Sequence, residues 1–394
     1  MTKRSVDEGR RRVEVRLGGG RGYAVEIGAG LLSELGAAAR ASLPERARKV
    51  ALVSNPRVFE LYGRRAAESL HASGFNVSHW LMGDGERFKT LRTAERALAF
   101  LSESKVERSD AVVALGGGVV GDLAGFASAL HLRGVAFVQV PTTLLAQIDS
   151  SVGGKTGVNT RGGKNVVGVF HQPSAVVVDT DTLKTLPPRE LTAGWCEALK
   201  HGAVGDRRLF ERTVKFLEAE SRRGEGGLED GSRSRELAAL VAAQCAFKAK
   251  IVAGDEREDV GREDSRSRRV LNFGHTVGHA LELVTNYRRF RHGEAVGYGM
   301  IAAAEISKRL ELVGASELES LRRAVGLAGR LPRASDIDAR EVARALRSDK
   351  KAVGGSVRWV LLEALGRARV VGGSEVSERV VLDSIRAALG ARPS

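Results

Sequence analysis

Short apolar runs alternate with helical stretches through the first half of the chain. Residues 12–28 alternate polar and apolar side chains around a glycine-rich stretch, which predicts an edge hairpin. Four later runs have the length and apolar character of buried strands: KVALVSN at 49–55, DAVVALGGG at 110–118, VAFVQVPTT at 135–143 and SAVVVDT at 174–180. Because stretches with helical spacing such as TAERALAFLSES separate these runs, we predict an α/β fold with a parallel, doubly wound sheet.

The pattern changes after LPPRE at 186–190. Longer segments with helical spacing follow at 191–218, 236–253, 276–285, 294–312 and 316–328, and a late strand pair is predicted at 358–371. The charged, low-complexity tract at 219–236 is typical of a solvated loop. We therefore predict an α/β domain at 1–183 and a mainly α-helical domain at 184–394.

Composition narrows the classes of function. The chain has 394 residues, 43% of them hydrophobic, with no run of eighteen apolar residues and no apolar leader, which predicts a cytoplasmic protein without a membrane span. Cys196 and Cys245 form no C-x-x-C pair, so we expect small buried side chains rather than a disulfide or a zinc ribbon. The net charge is +14, but basic residues are mixed with acids, which favours a small anionic substrate over nucleic acid.

A glycine-rich turn follows the predicted strand at 110–118. Gly116, Gly118 and Gly121 have G-x-G-x-x-G spacing at the start of a predicted helix, a context that suits phosphate or dinucleotide binding. The alternative is tight packing of the helix on the strand, and the spacing alone does not decide between them. No acid lies about twenty residues further on to bind a ribose hydroxyl; the candidates lie earlier, in GDGERFK at 83–89.

The segment at 141–165, PTTLLAQIDSSVGGKTGVNTRGGKN, combines threonines, lysines, asparagines and an aspartate with glycines. It is too polar for a core, and lysines fixed in a glycine-rich loop suit anions. A long surface loop is the alternative, but loops of this length usually carry function. We therefore predict an anion-binding role for this segment.

Three of the eight histidines are close together in sequence: His275 and His279, on one face of a predicted helix, and His292. Thr276 excludes the H-E-x-x-H metalloprotease motif. Glu197 could complete a zinc site with two imidazoles and an open position for substrate. The sequence does not choose which two histidines would be ligands, and a helix that merely holds two imidazoles is the alternative.

The combined motifs resemble the 3-dehydroquinate synthase family. DGERFK, GGGVVGD, RGVAFVQVPTTLLAQIDSSVGGKTGVN, GGKNVVG, LPPREL, CEALKHG, LNFGHTVGHALE, HGEAVGYGM and DKK occur in the family's order, over roughly residues 50–362. The resemblance implies a Rossmann-like NAD domain, a helical metal-binding domain, an active site in the cleft and a homodimer. It also implies a reaction of the shikimate pathway, in which 3-deoxy-D-arabino-heptulosonate 7-phosphate is converted to 3-dehydroquinate and phosphate through transient oxidation, elimination, re-reduction and aldol closure.

The resemblance also implies site residues. Zinc or cobalt would be held by Glu197, His275 and His292. The implied NAD contacts are Asn55, Asp84, Gly85, Glu86, Arg87, Phe88, Lys89, Gly117, Gly118, Val119, Val120, Gly121, Asp122, Thr142, Thr143, Asp149, Lys155, Lys164, Thr182, Leu183, Lys184 and Thr185. The implied substrate contacts are Asp149, Lys155, Lys164, Asn165, Lys248, Arg268, Asn272, His279, Lys350 and, from a second copy of the chain, Arg133. The implied catalytic residues are Lys155, Lys200, Lys248, Asn272 and His279.

One of these positions depends on a lengthened segment. The family's short link before Asn272 is longer here, so Arg268 is chosen over Arg262 as the phosphate-binding arginine by counting back from that asparagine.

Three alternatives follow from the same motifs. Sister sugar phosphate cyclases that form inosose or valiolone share the NAD and metal parts but diverge around Asn272 and His279, both of which this chain keeps along with Lys164 and Lys248. A metal-dependent polyol dehydrogenase would leave the lysine loop unexplained. A basic nucleic-acid-binding protein would explain the charge but neither the glycine turn nor the histidines.

Overall fold

The computed structural model describes residues 9–223, 231–259, 261–262, 264, 267–352 and 358–390, with side chains omitted at 223 and 347–352. It separates into two compact units. Unit 1 is Met1–Leu186 with Glu229–Ala253, and unit 2 is Pro187–Leu228 with Gly254–Ser394.

The secondary-structure elements are numbered in chain order. The strands are β1 (Arg11–Arg16), β2 (Gly22–Gly28), β3 (Lys49–Ser54), β4 (Asn76–Leu81), β5 (Ala111–Gly116), β6 (Ala136–Pro141), β7 (Lys155–Thr160), β8 (Gly163–Phe170), β9 (Ala175–Asp179), β10 (Arg358–Ala364) and β11 (Arg367–Gly372). The helices are α1 (Leu35–Ser42), α2 (Pro56–Val58), α3 (Arg64–Ala72), α4 (Leu91–Glu103), α5 (Gly118–Leu130), α6 (Pro188–Gly205), α7 (Arg207–Arg223), α8 (Gly231–Gly254), α9 (His275–Val284), α10 (His292–Arg309), α11 (Ala315–Ala328), α12 (Ala339–Ala352) and α13 (Glu378–Gly390).

Unit 1 is built on a seven-stranded sheet of order β1-β2-β9-β6-β5-β3-β4. Only the edge pair β1–β2 in this sheet is antiparallel, as the alternation at 12–28 predicted. Side chains of β3 alternate between two cores: Val50 and Leu52 pack with α1 and α3, and Ala51 and Val53 pack with α4 and α5. Helices therefore cover both faces of the sheet, and the predicted doubly wound, Rossmann-like α/β fold is confirmed.

The strand order places a topological switch between β3 and β5. The chain moves outward from β3 to β4 and then returns to β5 on the other side of β3. In open α/β sheets, ligands bind outside the carboxyl ends of the strands at such a switch. Asn55 follows β3 there, and Gly117 follows β5.

Helix α8 belongs to unit 1, whereas the boundary predicted at 183/184 would place it in the second domain. Residues 229–253 fall in unit 1, although they follow α6 and α7 of unit 2 in the chain. The physical reason is a set of contacts from α8 to the segment after β6: Lys248 pairs with Asp149, and Cys245 Sγ donates to the Gln147 carbonyl. The first compact unit is therefore discontinuous in sequence.

Helix α8 is also long and apolar enough to cross a membrane, by length and composition alone. Half of its most apolar window is buried inside the protein. Its Gln244 and Lys248 side chains are buried against the protein, and Lys248 is paired with Asp149.

Unit 2 contains α6, α7, α9 to α13 and the β10–β11 hairpin, which confirms the predicted late strand pair and the mainly helical character. The predicted helix at 191–218 is two helices, because the backbone at Asp206 is extended (φ −155°). The predicted loop at 219–236 was wrong at both ends, since α7 continues to 223 and α8 begins at 231. Helices α12 and α13 were not predicted.

The lysine-containing segment in unit 1 also differs from the prediction. A single π-helical turn at Ala146–Ser150 precedes the antiparallel β7–β8 hairpin, where a loop was expected. Thr156 and Val158 of β7 are buried. Many polar residues of the segment thus lie in a helical turn and two strands. The strands were not predicted because the segment is polar.

Candidate functional site

Three imidazoles converge in unit 2. The donor nitrogens of His275, His279 and His292 all lie within 4.8 Å of one another. His275 is the first residue of α9 and His292 the first of α10, as the loop-to-helix pattern predicted. Two consecutive helices therefore begin at the same place.

Glycines allow the helices to approach this closely. A Cβ built on Gly299 of α10 would lie 1.9 Å from the Gly274 carbonyl oxygen, and one on Gly293 would lie 2.0 Å from the Ala193 carbonyl oxygen of α6. Gly274 has φ +80°, a left-handed conformation that favours glycine, immediately before α9. Backbone-to-backbone packing thus brings α6, α9 and α10 together.

Glu197 of α6 completes the cluster. Its Oε1 lies 3.8 Å from His275 Nε2 and 3.6 Å from His292 Nε2, and its side chain is 1% exposed. Lys200 Nζ lies 2.5 Å from the other oxygen, Oε2, as a buried ion pair. Oε1 accepts no hydrogen bond from the residues that the structure describes. A buried carboxylate oxygen without a hydrogen-bond donor, facing two imidazole nitrogens, is suited to bind a further cation.

The Nδ1 atoms of both histidines are already engaged. His275 Nδ1 donates to the Phe273 carbonyl oxygen at 3.3 Å, and His292 Nδ1 lies 3.2 Å from Glu282 Oε2. Because a carbonyl oxygen can only accept a hydrogen bond, His275 Nδ1 carries the proton of a neutral ring, and the lone pair lies on its Nε2. Burial, and then the charge of Lys200, hold the pKa of His275 well below its usual range, so this imidazole stays neutral as a ligand must.

The arrangement has the donor set of a catalytic divalent cation: one carboxylate, two neutral imidazoles and outer partners that orient the rings. Glu197, His275 and His292 fit this role. His279 is exposed, with its ring 5.3 Å from that of His275 and 5.6 Å from that of His292, so it borders the cluster.

The predicted substrate contacts of unit 2 lie in different environments. Arg268 is 3% exposed, and its Nη1 donates to the Glu256 carbonyl. Arg262 is partly exposed and pairs with Asp264. Asn272 lies three residues before His275, and its amide reaches toward Glu258 at 3.5 Å. The side chain of Lys350 lies outside the described residues.

In unit 1, Lys248 of α8 forms an ion pair with Asp149 and also donates to the Asp149 carbonyl at 2.5 Å. Asp149 lies in the π-helical turn. The structure thus brings together two predicted substrate contacts that are separated by 99 positions in sequence. Cys245, on the same helix, is buried, as predicted, and this burial raises the pKa of its thiol to about 12.

A second buried pair connects the GDGERFK segment to the glycine turn. Lys89 Nζ lies 2.5 Å from Asp122 Oδ2 and 2.5 Å from Asn165 Oδ1. Burial raises the pKa of Asp122, and the charge of Lys89 opposes that rise. Two further contacts order the same region: Asn55 donates to Asp84 at 3.0 Å, and Asn159 donates to Glu86 at 2.7 Å.

Two glycines of the glycine turn lie close to neighbouring side chains. A Cβ on Gly121 would lie 2.6 Å from Gln139 Oε1, and one on Gly118 would lie 2.9 Å from Ser150 Oγ. These side-chain atoms approach the glycines closely, which fits the packing alternative in part. Gly117 precedes α5, which begins without a side-chain cap, so the amides of its first turn remain suited to an anion.

The remaining predicted NAD contacts lie in the same unit. Thr142 and Thr143 follow β6, and Thr182, Leu183, Lys184 and Thr185 lie in a 3₁₀ turn after β9. Val120 and Leu183 have buried side chains, and Lys184 pairs with Asp181 at 3.3 Å. Asp84 to Lys89 follow β4. Like Asn55 and Gly117, these residues lie beyond the carboxyl ends of the parallel strands.

Three basic side chains of the predicted anion site lie on exposed or partly exposed positions of unit 1. Lys155 begins β7, Lys164 lies at the start of β8, and Arg133 lies in a 3₁₀ turn after α5. Arg133 has φ +65°, and the preceding Leu132 has φ +51°. Asn165, next to Lys164, has φ +56° and contacts Lys89.

Sequence reasoning missed two polar side chains of these sites. Glu282 contacts His292, and its spacing of seven from His275 on one helix was a signal that could have found it. Asn159 contacts Glu86 and accepts from the Asn165 amide at 2.9 Å; its place on a strand could not be read from the polar segment.

Two family models match the chain: the 3-dehydroquinate synthase N-terminal model over residues 79–193 and the C-terminal model over 194–352. The 3-dehydroquinate synthase of Pelotomaculum thermopropionicum is 44% identical over 380 residues, covering 96% of this chain and 97% of the relative. That of Halorhodospira halophila is 45% identical over 357 residues, covering 90% and 94%.

A solved structure extends the comparison to a different product. The 2-epi-5-epi-valiolone synthase of Streptomyces hygroscopicus subsp. jinggangensis, with NAD⁺ and Zn²⁺ bound, superimposes with a TM-score of 0.80 at 26% identity, covering 93% of this chain and 97% of that one. Sequence similarity is thus much higher to the dehydroquinate synthases. By both family models and by near-full-length identity, the chain belongs to the 3-dehydroquinate synthase family.

Proposed function

We propose that the protein converts 3-deoxy-D-arabino-heptulosonate 7-phosphate to 3-dehydroquinate and phosphate, as an NAD- and divalent-metal-dependent lyase. The observation that carries this proposal is the buried cluster of Glu197, His275 and His292 in a chain 44% identical to a dehydroquinate synthase over 380 residues. The reaction oxidises the C5 alcohol transiently, eliminates phosphate, reduces the ketone again and closes the ring by an aldol step.

When bound, NAD supplies a hydride acceptor and donor, and a Zn²⁺ or Co²⁺ ion at Glu197, His275 and His292 supplies Lewis-acid polarisation of the substrate alcohol. Lys200 holds the second oxygen of Glu197, which leaves Oε1 directed at the two imidazoles. His279 borders this cluster and is exposed, which supports a role in contacting the substrate or moving a proton. Asn272, next to the cluster in sequence, is proposed as a further substrate contact.

The anionic substrate is proposed to be bound by cationic and amide side chains, because charge-assisted hydrogen bonds suit a phosphate dianion. The proposed set is Lys155, Lys164, Asn165, Lys248, Arg268 and Lys350, and Asp149 is proposed to contact a substrate hydroxyl. In a homodimer, Arg133 of a second copy would join this set. Arg268 is retained over Arg262 by the count back from Asn272, and the ion pair of Arg262 with Asp264 supports that choice.

NAD is proposed to bind at the carboxyl ends of the unit 1 strands, against the glycine turn and the 84–89 segment. The topological switch between β3 and β5 supports this position. A cytoplasmic homodimer that binds neither nucleic acid nor membrane completes the proposal. The mixture of acidic residues with the excess of basic ones supports a small anionic substrate rather than a polyanion.

A sister cyclase activity is the second candidate, because the valiolone synthase structure superimposes over nearly the whole chain. The two candidates are separated by offering the purified protein, with NAD⁺ and Zn²⁺, three substrates in parallel: the heptulosonate phosphate, sedoheptulose 7-phosphate and glucose 6-phosphate. Phosphate release from the heptulosonate phosphate alone supports dehydroquinate synthase. Turnover of either of the other two in its place would move the protein to a sister cyclase.

A further inference from the structure

Helix α9 carries a third polar residue on the face that holds its histidines. His275, His279 and Glu282 are spaced by four and three residues, so they lie along one stripe of the helix. The Glu282 side chain is 2% exposed, and its Oε2 lies 3.2 Å from His292 Nδ1. A buried carboxylate is costly unless it is paired, so this contact connects α9 to the first residue of α10.

The backbone at His292 is already fixed by another carboxylate. Glu294, which is fully buried, accepts from Arg189 Nε at 2.8 Å and Nη2 at 2.6 Å, and from the Arg291 amide at 2.7 Å. Arg189 also donates to the Arg289 carbonyl at 2.7 Å. This bidentate ion pair and its neighbouring hydrogen bonds connect the start of α6, the segment after α9 and the start of α10. The remaining freedom of His292 is therefore the rotation of its side chain.

The side chains of the two proposed ligand histidines differ in exposure, and the His292 ring also contacts those of His275 and His279. The His292 side chain is 34% exposed, whereas that of His275 is 15% exposed and bonds a backbone carbonyl two residues away. A ring with a third of its surface in solvent can turn about its side-chain torsions unless a hydrogen bond holds it. Glu282 supplies such a bond from a buried and therefore well-placed position.

We propose that Glu282 is a positioning residue for His292. Its carboxylate accepts the Nδ1 proton, selects the tautomer with an unprotonated Nε2, and holds that Nε2 toward Glu197. The inference rests on the proposed function, in which His292 is a ligand of the divalent cation. Outer carboxylates of this kind orient ligand imidazoles and increase their basicity, and their loss typically weakens metal binding roughly 10–100-fold.

The test is a Co²⁺ titration of the metal-free full-length protein, followed by visible absorption, which reports ligand geometry. Glu282→Gln keeps the size of the side chain and one acceptor oxygen but removes the charge, and Glu282→Ala removes the acceptor. We expect Co²⁺ affinity to decrease from the wild type to Glu282→Gln and further to Glu282→Ala. The alanine variant should bind Co²⁺ roughly 10–100-fold more weakly than the wild type and give an altered Co²⁺ spectrum. Glu305→Gln is the matched control, because Glu305 is a buried, arginine-paired carboxylate on the same helix as His292.

The outcomes separate the inference from the function on which it rests. Failure of the wild type to bind Co²⁺ would overturn the metal site itself. Wild-type affinity and spectrum in both Glu282 variants would overturn only the positioning role, as would a lowered melting temperature with an unchanged spectrum. If the alanine variant does not fold, the glutamine variant decides: reduced affinity with unchanged NAD binding supports the role, and wild-type affinity overturns it.

Discussion

At the scale of single residues, neighbouring groups contact the side chains of the proposed metal ligands. The Nδ1 atoms of His275 and His292 are both bonded, and Lys200 pairs with one oxygen of Glu197. What remains is one carboxylate oxygen and two imidazole nitrogens within 3.8 Å of that oxygen. The side chains of Glu197, His275 and His292 thus bring three potential ligand atoms together.

Replacing His275 with alanine should abolish stoichiometric zinc binding and activity while the protein remains folded. We expect the affinity for zinc to fall by at least about 100-fold, since the loss of an outer partner alone costs roughly 10–100-fold. Metal analysis after gel filtration, with circular dichroism as the folding control, measures this. Retained stoichiometric zinc would mean that His275 is not a ligand.

Lys89 provides a prediction about stability. Lys89→Met would leave Asp122 and Asn165 without their shared cation, and we expect the free energy of unfolding to fall by about 3 kcal/mol, as for the breaking of a buried pair. Urea unfolding measures the change. Lys89→Met combined with Asp122→Asn should recover part of the loss, because the double variant leaves no unpaired charge. A double variant as unstable as the single one would contradict the pairing.

Residue types and spacing were enough to predict that the three histidines and Glu197 could share one site, and the structure brings these side chains together. They were not enough to predict partners such as Lys89 with Asp122 or Lys248 with Asp149. Those pairs join positions 33 and 99 residues apart, and only the folded chain brings them together.

At the scale of secondary-structure elements, glycines set the distance between helices. Gly299 of α10 faces the Gly274 carbonyl, and Gly293 faces the Ala193 carbonyl of α6. Since His275, His292 and Glu197 lie on these three helices, the separation of the helices sets the separation of the ligands. Close packing is thus a requirement of the metal cluster as well as of the core.

Gly299→Ala should therefore reduce both stability and metal affinity. The added methyl group would overlap a backbone oxygen at 1.9 Å, so we expect a loss of at least about 3 kcal/mol, at the upper end for overpacked cores. Gly390→Ala, at a position with open space, is the control. Thermal unfolding with and without Zn²⁺ measures both effects; a stable variant with normal zinc affinity would refute the link.

His171, directly after β8, predicts a pH dependence of stability. Burial lowers its pKa from 6.5, although its bond to the Val135 carbonyl opposes this, and its ring stacks on Phe137. Below pH 6.5 the unfolded chain therefore binds the proton more readily, and stability falls as the pH falls. His171→Gln should make the decline between pH 7 and pH 5 shallower.

Urea unfolding of metal-free protein over this pH range tests the prediction for His171. His71→Gln is the matched control, because His71 also bonds a backbone carbonyl but is exposed on the surface. An identical slope in wild type and His171→Gln would contradict the assignment.

The regular elements were predictable where a single period dominated the sequence. Buried strands of the parallel sheet and the long helices of unit 2 have such patterns. The β7–β8 hairpin was missed because its segment mixes lysines, asparagines, threonines and glycines with apolar residues and shows no clear strand period, and α12 because a highly charged sequence resembles a loop. Tertiary packing, which the local pattern does not record, supports these elements.

At the scale of the whole molecule, the chain forms two compact units, and the proposed NAD and metal sites lie on different units. Unit 1 has the parallel sheet, the glycine turn and the lysines of the β7–β8 hairpin, and unit 2 has the metal cluster. The chain crosses between the units three times, because α8 belongs to unit 1. The sequence indicated two domains, but it could not indicate this crossing, since α8 is helical like its neighbours in the chain.

The central claim is that this chain releases phosphate from 3-deoxy-D-arabino-heptulosonate 7-phosphate through a site that needs the Glu197–His275–His292 cluster. The most direct measurement is phosphate release and dehydroquinate formation by the purified protein with NAD⁺, before and after removal of metal by a chelator and again after addition of Zn²⁺. We predict equal amounts of the two products, loss of both with the chelator, and recovery with Zn²⁺ in the wild type but not in His275→Ala. No phosphate from this substrate by the zinc-loaded wild type, or undiminished release by His275→Ala, would contradict the account.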